Sequence, residues 1–153
     1  MKYLLAPISW IYAFFVWLRN VLYDDHVLPS YTVSVPTIAI GNLAVGGTGK
    51  TPMTEYIIRL LSSQYKVAVL SRGYGRKTRG FRLATPTDTA STIGDEPMQI
   101  HMHFPDIPVA VCADRVYGIK RLLQLFPDLQ CIILDDAYQH RKLRCGFYIL
   151  LTP

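Results

Sequence analysis

Apolar residues fall along the chain in two rhythms. Five short runs, 37–40, 66–70, 108–112, 130–134 and 147–151, are nearly continuous in aliphatic and β-branched residues. Unbroken runs of that length predict parallel strands buried on both faces. Between them the apolar positions spread to helical spacing. Segment 50–61 places Met53, Ile57, Leu60 and Leu61 on one face, and 114–126 does the same with Val116, Ile119, Leu122, Leu123 and Phe126. A third helix is predicted over 95–104, with Asp95 as N-cap and Pro97 in its first turn. Strands alternating with helices imply right-handed βαβ units and a doubly wound, mostly parallel α/β sheet. Such sheets bind ligands beyond the carboxyl ends of their strands. The connection 71–94 mixes Arg, Gly, Thr and Pro and reads as a long functional loop.

The first residues follow neither rhythm. Residues 3–18 contain no charge, and Ser9 is their polar member. As a helix this stretch spans about 24 Å against a hydrocarbon core of about 30 Å. Trp10, Tyr12, Trp17 and Tyr23 favour the membrane–water interface. Lys2 before an apolar run resembles a signal peptide, yet no small-residue cleavage site follows. A helix lying in the membrane surface over residues 3–22 is the preferred reading. A span that includes Val21 and Leu22 with Arg19 snorkelling, and a buried core helix, stay open. The expected organisation is a membrane-associated helix and linker over 1–28, then a core domain over 29–153.

Composition narrows the classes. The chain has 153 residues, half of them hydrophobic and 18% charged, which suits one ordered domain and excludes extensive disorder. A formal charge of +5 suits an acidic partner: nucleotide, nucleic acid or anionic lipid. No RNA-binding signature or zinc-finger spacing occurs, so a nucleic-acid partner is not expected. No obligate protein partner is evident. The three cysteines, Cys112, Cys131 and Cys145, lack C-x-x-C spacing and read as reduced thiols. His101 and His103 are two apart and would not share a helix face. A chain that stops at a strand end is expected to be the front part of a longer protein.

The chemistry gathers after the first strand. Gly41-Asn42-Leu43-Ala44-Val45-Gly46-Gly47-Thr48-Gly49-Lys50-Thr51 follows Ile38-Ala39-Ile40 and precedes a helix. Strand, glycine-rich loop, Gly-Lys-Thr, helix is how proteins cradle nucleoside triphosphates. Backbone N–H groups of residues 44–49 would face phosphate oxygens, with the helix start adding partial positive charge. Lys50 would reach the β- and γ-phosphates of ATP, and the Thr51 hydroxyl would bind Mg2+. Ala44 stands where the usual pattern has glycine.

Three further clusters fall at predicted strand ends. Asp135-Asp136 closes an apolar run, where a carboxylate pair can hold magnesium or one member can cap a helix. Gly94-Asp95-Glu96-Pro97 opens a helix, as a plain cap or as a base for an attacking hydroxyl. Ser71-Arg72-Gly73-Tyr74-Gly75-Arg76 is a flexible loop whose arginines either fork onto phosphate or remain solvated. Arg115 follows the 108–112 run, at the same expected edge.

Taken together and in order, these segments, with Ala113-Asp114-Arg115 and Asp135-Asp136-Ala137-Tyr138-Gln139-His140, resemble the amino-terminal half of the tetraacyldisaccharide 4′-kinase family. The resemblance implies transfer of the ATP γ-phosphate to the 4′-hydroxyl of a lipid A disaccharide 1-phosphate precursor. It implies a cytosolic enzyme seated on the bacterial inner membrane by its first helix. It makes Asp95 the catalytic base, aided by a histidine from the second half. It gives Lys50 and Asp136 catalytic contacts, and Thr51, Glu96, Asp135 and Asp136 the magnesium. Arg72, Tyr74, Arg115 and His140 fall where the family handles the acceptor. The fragment alone is expected to be weak or inactive. Two residues depart from the family's habit: Ala44 replaces a hydroxyl residue, and Ala137-Tyr138 replaces Gly-Phe. A switch-type GTPase or metal-insertion ATPase is the first rival. It lacks support in an Asn-Lys-x-Asp segment, or in the lysine that partitioning ATPases carry where Val45 stands. A non-enzymatic protein binding anionic lipid through its basic loops is the second.

Overall fold

A computed structural model describes residues 6–24, 27, 30–42, 49–137 and 142–152, with part of the first helix defined as backbone only. Its elements, in order, are α1 (Ala6–Asp24), β1 (Tyr31–Thr32), β2 (Thr37–Asn42), α2 (Lys50–Ser62), β3 (Val67–Ser71), β4 (Arg82–Leu83), α3 (Ala90–Ile93), α4 (Asp95–His103), β5 (Val109–Val111), α5 (Arg115–Leu125), β6 (Cys131–Asp135), β7 (Leu143–Arg144) and β8 (Phe147–Leu151). The main sheet runs β4-β5-β3-β6-β2-β8. All its neighbours are parallel except the β4–β5 edge pair. β1 and β7 form a small parallel pair of their own.

Alternation along the strands explains why the sheet is covered on both faces. Ala39, Ala68, Leu70, Ala110, Ile132 and Leu134 pack with Val116, Ile119 and Leu122 of α5. The intervening Ile40, Val69, Val109 and Ile133 pack with Ile57 and Ile58 of α2 and Ile100 of α4. β3 and β6 are buried at every position, which is why they read as unbroken apolar runs. On the second face Glu55 links two helices, accepting from Gln99 Nε2 at 2.9 Å and meeting His103 Nδ1 at 2.8 Å.

Two sequence expectations change. The 71–94 connection is not a single open loop, because β4 and α3 interrupt it. The N-cap of α4 is Gly94 rather than Asp95, which is the helix's first residue. In α5 the expected cap holds: Asp114 accepts a hydrogen bond from Tyr117 N.

In α1, Trp10, Phe14, Phe15 and Trp17 are 78%, 54%, 62% and 59% exposed. These four aromatic side chains are not covered by the described residues. No helix among the described residues is long and apolar enough to cross a membrane.

Candidate functional site

The chemistry-bearing side chains meet where β2, β3 and β6 end. β6 lies between β2 and β3 in the sheet, so its terminal Asp135 sits between the segments leaving both neighbours. Asp135 is fully buried. Its Oδ1 accepts from Thr54 Oγ1 at 3.4 Å and its Oδ2 from Ser71 Oγ at 3.3 Å. Burial pushes this carboxyl up to about 6, with Glu96 and Asp136 adding to the rise against Arg115 and the Ser71 hydroxyl.

Asp136 turns the chain out of the sheet at φ 52, and its side chain is half exposed. Its Oδ1 lies 3.2 Å from Lys50 Nζ. The same ammonium donates to Asn42 Oδ1 at 3.3 Å. Gly49 precedes α2 in the left-handed region, φ 79, and its carbonyl accepts from Met53 N at 3.0 Å. Thr51 follows Lys50 within the first turn. Helix α2 thus begins with Lys50 and Thr51 at the sheet's carboxyl edge.

Arg115 occupies a different place from the ligand-facing one expected of it. It is 2% exposed. Nη1 donates to Cys112 O at 2.6 Å, and Nη2 to Asp135 O at 3.0 Å and Asp136 O at 3.4 Å. The guanidinium faces inward because the two carbonyls at the end of β6 and the carbonyl after β5 converge on it. Burial lowers its pKa to about 10, against the pull of Asp135 and Asp136. Its Nε is buried without a partner among the described residues.

Asp95 and Glu96 are exposed at the start of α4. The loop after β3 lies directly against that start. A Cβ on Gly73 would come 2.8 Å from Ile93 O, and one on Gly94 would come 2.9 Å from Tyr74 O. Gly94 has φ 98 and ψ 158, a conformation essentially restricted to glycine. These two glycines let the Arg72–Tyr74 loop touch the Asp95 helix backbone to backbone. Arg72 is exposed, and Tyr74 is 87% exposed.

The far side of the same loop is tied by a residue with no prior sequence signal. Asp88 is buried and accepts from Arg82 Nε at 2.7 Å, Thr85 N and Oγ1 at 2.9 Å, and Thr92 Oγ1 at 2.6 Å. Burial works against its charge, but the Thr92, Thr85 and Arg82 donors outweigh it and hold the carboxyl at about 2.

Residues 44–48 and His140, assigned to phosphate and acceptor binding from sequence, lie outside the described residues. Among the described residues no three His, Cys, Asp or Glu side chains form a ready metal cage. Magnesium does not need one. It takes one or two carboxylates, keeps several waters and shares the substrate's phosphates. A buried carboxylate with a raised pKa beside an exposed second carboxylate and a threonine hydroxyl fits that donor set. Sequence reasoning missed Asn42, Thr54 and Ser71 as partners of the charged groups. The spacing Lys50–Thr54, one helical turn, was the one signal that could have found Thr54.

The fold and the site define an α/β protein with a mostly parallel sheet, its charged groups gathered at the strands' carboxyl edge. The family model described as tetraacyldisaccharide-1-P 4′-kinase matches residues 1–153, and the chain belongs to that family. A tetraacyldisaccharide 4′-kinase of Flavobacterium psychrophilum is 55% identical over 97% of this chain and 43% of its own length. One from Bacteroides thetaiotaomicron is 54% identical over 97% of this chain and 39% of its own length. The crystal structure of "apo" form LpxK from Aquifex aeolicus in complex with ATP superposes with a TM-score of 0.85 at 37% identity, covering 95% of this chain and 47% of that one. The chain spans less than half the length of these relatives.

Proposed function

We propose that this chain forms the nucleotide-binding half of a P-loop tetraacyldisaccharide 4′-kinase, which moves the γ-phosphate of ATP to the 4′-hydroxyl of a lipid A disaccharide 1-phosphate precursor. The observation that carries this reading is the meeting of Lys50, the Asp135-Asp136 turn and the Gly94–Asp95 helix start at one sheet edge, in a chain matched by that family along its whole length.

Phosphoryl transfer needs positioning and charge neutralisation more than covalent help from the protein. The N–H groups of 44–49 and the start of α2 would bind the phosphates. Lys50 leaves Asp136 for the β- and γ-phosphate oxygens. Thr51, Glu96, Asp135 and Asp136 are the residues that would hold Mg2+, which supplies charge neutralisation on those oxygens. Asp95 takes the proton of the 4′-hydroxyl as its oxygen attacks the γ-phosphorus, and the bridging oxygen departs with ADP. Arg72, Tyr74 and His140 would bind the acceptor's phosphate and sugar. Arg115 serves from behind, holding the main chain of the acidic turn. The exposed aromatic residues of α1 seat the enzyme on the cytosolic face of the inner membrane, where a lipid acceptor resides.

The test uses protein expressed from the complete reading frame, magnesium-ATP and detergent-dispersed tetraacyl disaccharide 1-phosphate. A bisphosphorylated lipid that disappears with Lys50→Ala is the expected result. Acceptor-independent hydrolysis of ATP or GTP without lipid product would overturn the kinase in favour of a switch-type nucleotidase.

A further inference from the structure

One polar side chain at the centre of the site has no part in the chemistry above. Asn42 ends β2, with its main chain in register against Leu151 of β8. Strand pairing therefore fixes its backbone, and its short side chain has little freedom. Asn42 Oδ1 receives the Lys50 ammonium at 3.3 Å, while Asp136 Oδ1 holds the same ammonium at 3.2 Å.

The two acceptors differ in kind. Asp136 is an anion on a half-exposed turn, and any phosphate that recruits Lys50 competes with it charge for charge. Asn42 is neutral and mounted on a rigid strand, so its hold on the ammonium adds no negative charge where phosphate must bind. Lysine carries a compact charge on a flexible four-carbon stem, and ordering that stem costs rotamer entropy. An ammonium held before the ligand arrives has already met that cost. Its three donors suffice to keep Asn42 while exchanging Asp136 for a phosphate oxygen.

We propose that Asn42 is a positioning residue for the transfer reaction, holding the Lys50 ammonium at the phosphate-binding edge before and during nucleotide binding. The inference rests on the reading that Lys50 contacts the nucleotide's phosphates. Asn42 acts through Lys50, so its value vanishes when Lys50 is absent.

A double-mutant cycle in protein from the complete reading frame tests this, with magnesium-ATP affinity as the readout and thermal unfolding as the check on folding. Asn42→Leu weakens ATP binding about tenfold, the scale of a lost hydrogen bond to a charged group. Lys50→Ala weakens it at least as much. In the Lys50→Ala background, Asn42→Leu changes affinity by less than about twofold, the non-additivity expected of two residues acting as a unit. Asn42→Ser, polar but too short to reach the ammonium, carries the same cycle where Asn42→Leu unfolds. Equal losses in both backgrounds would assign Asn42 a role in the strand alone and overturn the proposal. So would an unchanged affinity in Asn42→Leu. Unchanged ATP affinity in Lys50→Ala by itself would overturn the phosphate reading, and the inference with it.

Discussion

Asp135→Asn tests the electrostatics of the site in the absence of any ligand. The Asp135 carboxyl is fully buried, and its pKa rises from 3.8 to about 6, chiefly through burial and then through Glu96 and Asp136. The unfolded chain releases this proton near pH 4, whereas the folded chain keeps it to about 6. Folding therefore binds the proton more tightly, and the group's contribution is present below pH 4 and lost as pH rises through 6. A gap of about two pH units corresponds to about 3 kcal/mol. Asparagine removes the charge and keeps one oxygen for Thr54 or Ser71, while the other hydroxyl must reorient to accept. A net loss of one hydrogen bond costs about 1 kcal/mol. The variant is thus expected to be about 2 kcal/mol more stable than wild type at pH 7.5 in magnesium-free buffer, with the advantage gone at pH 4. Urea unfolding followed by circular dichroism, on both proteins at both pH values with EDTA, measures the difference and cancels groups common to the two. Magnesium should stabilise wild type and leave Asp135→Asn unmoved. A variant less stable than wild type at pH 7.5, or a pH-independent gap between them, would refute the account of a strained, cation-seeking carboxylate.

Three further outcomes are expected. Gly94→Ala puts a Cβ 2.9 Å from Tyr74 O at a φ of 98, costing about 1–3 kcal/mol. It separates the Arg72–Tyr74 loop from the Asp95 helix, so steady-state kinetics should show transfer to lipid falling much further than ATP affinity. Asp88→Ala strips the acceptor from Arg82, Thr85 and Thr92 and should destabilise by about 3 kcal/mol. The lowered pKa of Asp88 makes its contribution full above pH 4 and lost as pH falls towards 2. Acid unfolding should accordingly steepen less in the variant. Trp10→Ser with Trp17→Ser, both exposed in α1, should cut vesicle co-sedimentation at least tenfold while leaving the unfolding midpoint of the core unchanged, about what losing two interfacial aromatics implies.

The parallel sheet was legible because β3 and β6 are buried at every position, so apolar continuity alone marked them. The 147–151 run matched β8 residue for residue, and the other four strands shifted by one or two positions. β4 and α3 were not legible. β4 has two residues and pairs only at an edge. α3 has four, too few for a helical period. The Asp88 knot that organises them joins residues between positions 82 and 92 by side-chain hydrogen bonds, which follow no hydrophobic rhythm. Helix starts were read correctly where a side chain does the capping, as at Asp114. Behind glycine the starts at Lys50 and Asp95 were also read correctly, but the cap of α4 was assigned to Asp95 when the backbone freedom of Gly94 supplies it. Lys50 and Asp136 were singled out as chemical residues, but their direct pairing was not foreseen, nor Asn42 beside them. Arg115 shows the limit of strand-end reasoning. Its position at the carboxyl edge was right, but only three dimensions reveal that three carbonyls turn its guanidinium inward.

The strand order has a consequence for synthesis. β2, which leads towards Lys50, has β6 and β8 as its neighbours, pairing Thr37 with Ile132 and Ile38 with Phe147. Both partners leave the ribosome long after it. A nascent chain that has reached α5 can pair β3 with β5, yet Ile38-Ala39-Ile40 still has no strand beside it. Such non-local closure is slow and leaves apolar surface open while it waits. Within the main sheet, β2 is thus the strand that waits longest for a neighbour. The Lys50–Asp136 pair forms late for the same reason, because Asp136 arrives with the strand that closes the sheet around β2.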